Sequence, residues 1–298
     1  MPLFDETICT FNDNCQKLAT DAKTVDGAVE YLRHLEKLWE GYAPYASPSF
    51  QRQFLSDSSK YYSLTWEMLL GNALVEHGYN LLPNLSDDAP DLCVQHNGQK
   101  IWIECCLPER GDPALPDSVP EPIADGNAHE VHHDRSVLRC TSSLRSKKDQ
   151  HLRWLKNGVC RVEDAFVIAI SGKNLQLSIY EKSLPQILRA LYGIGDLFAV
   201  FSPDKLSAAT GGYHKKEKVR KNNKEEIPTT FFLHEENQHI DGVLFSKDWI
   251  MHWSSSPKHC FVENIKAKNK LSPIFEKICQ TYEYTENSIS FKKSKQSK

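Results

Sequence analysis

The amino-acid sequence predicts an α/β fold. Three features carry that prediction: helix-period apolar stripes at 24–42 and 60–77, a tight β-hairpin at Asn97-Gly98, and a helical segment at 134–157 leading into the apolar run Ala165–Ile170. Apolar strands interspersed with helices belong to a sheet whose faces are covered. With 298 residues, 40% of them hydrophobic, the chain can bury such a core.

Residues 24–42 place Ala28, Tyr31, Leu32, Leu35, Leu38 and Trp39 on one helical stripe. A Pro/Ser-rich stretch at 43–58 breaks it. The next helix, 60–77, buries Tyr62, Trp66, Leu69, Leu70, Ala73 and His77, and Gly78 ends it as the residue past the C-cap. Glu67 lies at the border of that stripe, near Leu74, where a carboxylate can look over a sheet edge. A short strand at Tyr79–Leu82 follows.

Asn97-Gly98 between two β-prone runs is a strong signal for a two-residue type I′ turn. That turn pairs His96 with Gln99, and counting outward sets Asp91 opposite Glu104. Their Cβ atoms then lie roughly 5 Å apart on one face of the sheet. Like charges directly opposed destabilise a sheet unless a cation sits between them, and a divalent metal is the simplest candidate. Leu92, Val94, Ile101, Ile103 and Cys105 form the opposite, core face. Cys93, Gln95, Lys100, Trp102 and Cys106 share the acidic face.

Residues 107–127 hold five of the fifteen prolines and no periodicity, which predicts a long loop of the functional or disordered kind. The helix at 134–157 carries Val137, Thr141, Leu144, Lys148, His151, Leu152 and Leu155 on one side. Lys148 is the lysine within that stripe, Lys147 stands at its edge, and Gly158 closes the helix. Strands follow at Ala165–Ile170, Leu175–Tyr180 and Leu197–Phe201, with a helix at Leu184–Tyr192 between the last two. Tyr213–Glu226 is a basic, solvated segment. Thr229–Leu233 and Gly242–Ser246 read as later strands, Pro273–Cys279 as a helix, and the basic tail from Phe291 as disordered. The organisation is thus a helical N-terminal region at 1–58, a core at 59–205, a C-terminal extension of the same domain at 206–285, and a tail at 286–298.

A formal net charge of -3 gives no global attraction to nucleic acid or to an anionic membrane. No apolar run is long enough to span a bilayer, and the start lacks a basic stretch followed by an apolar one. These features predict a soluble, cytoplasmic protein with no membrane partner; they leave its oligomeric state open. Nine cysteines, an odd number without Cys-x-x-Cys spacing, predict reduced thiols. Cys105 and Cys106 alternate across their strand, which opposes a bridge between them.

The order is a helix with Glu67, a strand, a strand opened by Pro90-Asp91, a strand ending Glu104-Cys105-Cys106, a helix and a strand. Over residues 60–171 this resembles the PD-(D/E)XK nuclease superfamily. The resemblance implies a restriction-endonuclease-like αβββαβ core with a mixed central sheet flanked by helices. It implies that Asp91, Glu104 and the main-chain carbonyl of Cys105 hold Mg2+ (or Mn2+), with Glu67 assisting. Hard oxygen donors suit that ion, which polarises a phosphodiester and acidifies water. The implied reaction is hydrolysis of DNA, with RNA second. The chain departs from the pattern at Cys106, where the family has lysine, and a thiol cannot supply that positive charge. Some members carry the lysine on the next helix, where Lys148 and Lys147 stand; the place of Lys148 on the sheet-facing stripe favours it. Lys100 lies at the turn end, out of reach. Without a lysine at the site, the chain is an inactive nucleic-acid-binding or protein-interaction module.

Two other motifs compete. His129-Glu130-Val131-His132-His133 matches the zinc-protease pattern HExxH, which needs a helix interior, yet Pro120, Pro122 and Gly126 precede it closely. A His-rich loop edge accounts for it better. Lys215, Lys216, Lys218, Arg220 and Lys221, beside Tyr213 and His214, form a candidate track for a phosphate backbone, although charge runs are more often solvated loops. Trp249 and Trp253 read as core.

Overall fold

The computed structural model describes residues 2–4, 11–23, 25–121, 125, 127, 132–175, 184–202, 205–246, 259–285 and 288–292. Four helices come first: α1 (Asp13–Asp21), α2 (Asp26–Tyr42), α3 (Phe50–Ser56) and α4 (Tyr61–Glu76). α1 and α3 are additions to the sequence reading. Asn12 caps α1 by accepting the Cys15 N–H at 3.1 Å, and α3 buries Phe50, Phe54 and Leu55 within the stretch that breaks α2. α4 buries twelve of its sixteen residues, because the other helices cover its outer side while the sheet covers its inner one. That surrounding explains why Glu67, expected at a stripe border, is only 4% exposed. His77, expected in the stripe, is instead the exposed C-cap.

Next come β1 (Asn80–Leu82), β2 (Leu92–His96), β3 (Gln99–Cys106), α5 (His133–Lys156) and β4 (Ala165–Ser171). Helix α4, three strands, α5 and β4 thus occur in the order read from the sequence. The chain continues through α6 (Ile187–Tyr192), β5 (Ile194–Ser202), β6 (Lys205–Lys215), β7 (Lys218–Arg220) and β8 (Glu226–Pro228). It ends with β9 (Gly242–Ser246), β10 (His259–Glu263), α7 (Ser272–Phe275), β11 (Gln280–Thr285) and β12 (Ser288–Lys292).

Eight strands form one mixed sheet in the order β1-β2-β3-β4-β9-β10-β11-β12. β1, β2 and β3 are antiparallel, while β3, β4 and β9 run parallel. Helices flank it on both faces. Alternation along β4 shows why: Ala165, Val167 and Ala169 face the core shared with α2 and α4, and Phe166, Ile168 and Ile170 face the core shared with α5 and α6. The Trp66 indole N–H donates to the Ala169 carbonyl at 3.0 Å and fixes α4 on the sheet. The predicted division at 205/206 falls within β6, which pairs with β5, and β9, β10 and β11 continue the main sheet.

Several expectations change. Thr229–Leu233 is no strand: Phe231–Leu233 is a 3-10 turn whose Phe231 carbonyl accepts from Asn237 Nδ2 at 2.6 Å, burying both phenylalanines. Tyr213–Glu226 is not loop throughout but holds the end of β6, β7 and the start of β8. Phe291 and Lys292, placed in the disordered tail, pair with β11 in β12. Leu152 is exposed, and Trp154 is buried in its stead. The expected strand beyond Leu175, Asp248–Trp253, and residues 293–298 lie outside the described residues. The eight described cysteines are buried, with Cys105 and Cys106 in opposite cores. Among the described residues, no helix is long and apolar enough to cross a membrane.

α2 and α4 approach closely at Gly71, where a Cβ would stand 2.5 Å from ring carbons of Tyr42. Gly71→Ala therefore forces these helices apart. The expected loss is about 1–3 kcal/mol of stability, read by denaturant unfolding; an unchanged midpoint would contradict the tight contact.

Candidate active site

The hairpin forms as its turn dictates. Asn97 (φ 49°) and Gly98 (φ 82°) take the left-handed conformations of a type I′ turn, and β2 pairs with β3 from His96↔Gln99 to Leu92↔Ile103. One further step sets Asp91, just ahead of β2, opposite Glu104. β1 reaches only as far as Cys93, so nothing in the sheet covers Asp91 on its other side. Asn84 Nδ2 steadies the approach by donating to the carbonyls of Pro90 (3.2 Å) and Asp91 (3.3 Å).

At this sheet end the acids interlock. Asp91 Oδ2 accepts the Cys105 N–H at 2.7 Å, and the Asp91 N–H donates to Glu104 Oε2 at 3.4 Å. Lys147 Nζ reaches from α5 to Glu104 Oε1 at 2.6 Å and to Gln150 Oε1 at 3.1 Å. From the opposite layer, α4 sends Glu67 over the sheet end, with its Oε1 accepting the Tyr42 hydroxyl at 2.6 Å. Glu67, Asp91, Glu104, Cys105, Cys106 and Lys147 line one cleft of about 620 Å³. Its wider walls carry Lys60, Ser63, Arg139, Ser142, Ser143 and Ser146.

The charges explain the protonation behaviour. Burial pushes the Asp91 carboxyl well above its ordinary range, and the carboxyls of Glu104 and Glu67 add to the rise. Burial also lifts Glu67, to about 8, against the Tyr42 hydrogen bond. Glu104 rises less, because Lys147 and Asp91 offset its burial. Burial alone would depress the Lys147 ammonium, yet Glu104, Cys106 and Asp91 hold it charged and above its usual value. Burial raises the Cys106 thiol to about 12, so it stays neutral. At the sheet end three carboxyls thus gather beside one ammonium, Lys147, while Lys60 and Arg139 stand on the wider walls of the cleft with Asp87 and Glu109.

The two candidate lysines separate. Lys147 meets Glu104, whereas Lys148, favoured by its place on the stripe, turns away and pairs with Glu236 at 3.3 Å. Helix phase is the reason. Residues 139, 142, 143, 146, 147 and 150 follow the cleft side of α5, while 144, 148 and 151 follow the side packed towards the later strands. Lys100 lies over Trp102, 5.3 Å from the ring centre, consistent with its distance from the acids. Among the described residues, no three His, Cys, Asp or Glu side chains already stand in metal-ligating geometry. Lys147 and the Cys105 N–H occupy carboxylate oxygens that a cation would share.

The basic track does not join this cleft. Lys216 pairs with Asp134, Lys218 and Arg220 with Glu226, and Lys221 with Glu225, while Lys215 ends β6 on the surface. Nor does HExxH occupy a helix interior: His132 is the N-cap of α5 and His133 its first residue, with 128–131 outside the described residues. Tyr42 was not read as a site residue. Its signal was its spacing, since it extends the Leu35, Leu38 and Trp39 stripe by one turn.

No family model, curated protein or solved structure matches this chain.

The raised Glu67 carboxyl has a stability consequence. The unfolded chain ionises near the ordinary 4.5 and the folded chain near 8, so folding weakens as pH rises between those values. In chelator, Glu67→Gln should show a smaller fall in melting temperature from pH 5 to pH 8 than the parent chain. An equal fall in both would mean that Glu67 does not carry the effect.

Proposed function

We propose that this chain is a Mg2+-dependent (or Mn2+-dependent) nuclease with a restriction-endonuclease-like core, hydrolysing phosphodiester bonds in DNA first and RNA second. One observation carries the reading: Glu67, Asp91 and Glu104 converge from three elements on one cleft, with the Lys147 amine 2.6 Å from Glu104. The lysine absent at position 106 has a counterpart on α5, reaching the same sheet face that a residue at 106 would occupy.

The donor set fits a hard divalent cation. The buried Glu67 and Glu104 and the half-buried Asp91, whose carboxyls are all raised, with burial the largest cause, form a site that gains from added positive charge. Asp91 and Glu104 would hold the ion together with the Cys105 carbonyl, and Glu67 would complete the oxygen set. Such an ion supplies Lewis acidity towards the phosphodiester and lowers the pKa of water. Lys147, held charged by Glu104, would offer its ammonium to the negative charge that develops on the scissile phosphate, a preorganised electrostatic contribution. Since acids neutralise most of the Lys215–Lys221 segment, Lys60 and Arg139 on the cleft wall are the better first contacts for the substrate backbone.

Cleavage of plasmid and single-stranded DNA with Mg2+ or Mn2+ tests the reading. Asp91→Ala and Glu104→Ala should abolish turnover, and Lys147→Ala should lower kcat by roughly 10²–10³, while Lys148→Ala stays near the parent rate. Turnover indifferent to both acid substitutions would remove the assignment. Absence of cleavage, with DNA retention that falls steeply with salt, would favour an inactive binding module.

A further inference from the structure

We infer that Tyr42 is a positioning residue of this site, so that the N-terminal helical layer completes the cleft. The inference rests on the metal-dependent reading above. Tyr42 is the last residue of α2, fully buried, and its hydroxyl donates to Glu67 Oε1 at 2.6 Å. That leaves the other oxygen of Glu67 for the cleft it lines with Asp91 and Glu104.

The hydroxyl is aimed by packing that leaves the ring no freedom. Gly71, one turn beyond Glu67 on α4, lies so close to the Tyr42 ring that even a methyl group would overlap it. Phe50 meets the ring edge-on, with centroids 5.3 Å apart, and Trp39 stacks on Phe50 at 5.5 Å. Gly41 sets α2 equally close to Asn72, where a Cβ would fall against the amide oxygen. These two glycines, Gly41 next to Tyr42 and Gly71 four residues past Glu67, thus hold donor and acceptor in register. A phenylalanine would fill the same space, so packing does not require the hydroxyl. What the hydroxyl adds is a charge-assisted hydrogen bond that fixes one carboxylate oxygen, as outer partners of metal ligands do.

A merely structural role would be to satisfy a buried glutamate, and metal affinity separates the two. Mn2+ binding to the full chain would be followed by electron paramagnetic resonance and calorimetry for the parent, Tyr42→Phe, Glu67→Gln, the double variant and Asp91→Asn. Tyr42→Phe should weaken Mn2+ by about tenfold or more, with no further loss when added to Glu67→Gln. Cleavage by Tyr42→Phe should need more Mg2+ for half-saturation yet regain most of its kcat at high Mg2+. Parent-like Mn2+ affinity in Tyr42→Phe, or an equal loss in the Glu67→Gln background, would overturn the inference while leaving the metal site standing. Unchanged Mn2+ binding in Asp91→Asn would remove the metal reading and Tyr42's role with it. If Tyr42→Phe does not fold, 3-fluorotyrosine at position 42 keeps the shape and sharpens the hydroxyl's acidity; unaltered Mn2+ affinity there would likewise overturn it.

Discussion

Gathering three carboxyl groups, two of them buried and Asp91 half-buried, beside a single ammonium is the constraint on which this structure turns. Burial shifts each carboxyl towards its neutral form, and repulsion from the neighbouring acids adds to the rise at Asp91 and Glu67. The Lys147–Glu104 contact is the main local offset. Removing one partner of such a buried pair typically costs about 3–5 kcal/mol, because the other is left uncompensated. The surrounding elements are arranged to keep the groups together despite this cost.

Each element contributes in a way its own chemistry explains. The type I′ turn fixes the β2–β3 register and with it the opposition of Asp91 and Glu104. β1 pairs with β2 only as far as Cys93, and beyond that point Glu67 of α4 and Asp91 line one cleft. α5 supplies the cation from the face that Glu104 shares with Trp102 and Cys106. The site therefore stands at a sheet end because only there can both helical layers reach one point.

The sequence disclosed most where a period or a local turn decides the outcome. The hairpin register, the α2 and α4 stripes and the apolar β4 all follow from residues within one element. It disclosed least where distant segments compete. Lys148 reads as a member of the α5 stripe and Lys147 as its edge. Which faces the acids depends on Glu236 and the strands after residue 190, far along the chain. Thr229–Leu233 has β-prone composition, but Asn237 and two buried phenylalanines bend it into a turn. Tyr42 is 25 residues from its partner, on a helix whose stripe reads as ordinary core.

Cys106 takes a different meaning in this setting. A lysine at that strand position would leave from the face that α5 covers, into space now occupied by Cys140, Leu144 and their neighbours in the apolar core. A small neutral thiol packs there without a buried charge, consistent with burial and the nearby acids keeping it protonated against the opposing pull of Lys147. Moving the cation to α5 lets a long, partly exposed side chain approach from the cleft side, with its stem along the helix and its ammonium on Glu104. The thiol at 106 and the amine at 147 are thus complementary: the core can close over β3 because the charge arrives from elsewhere.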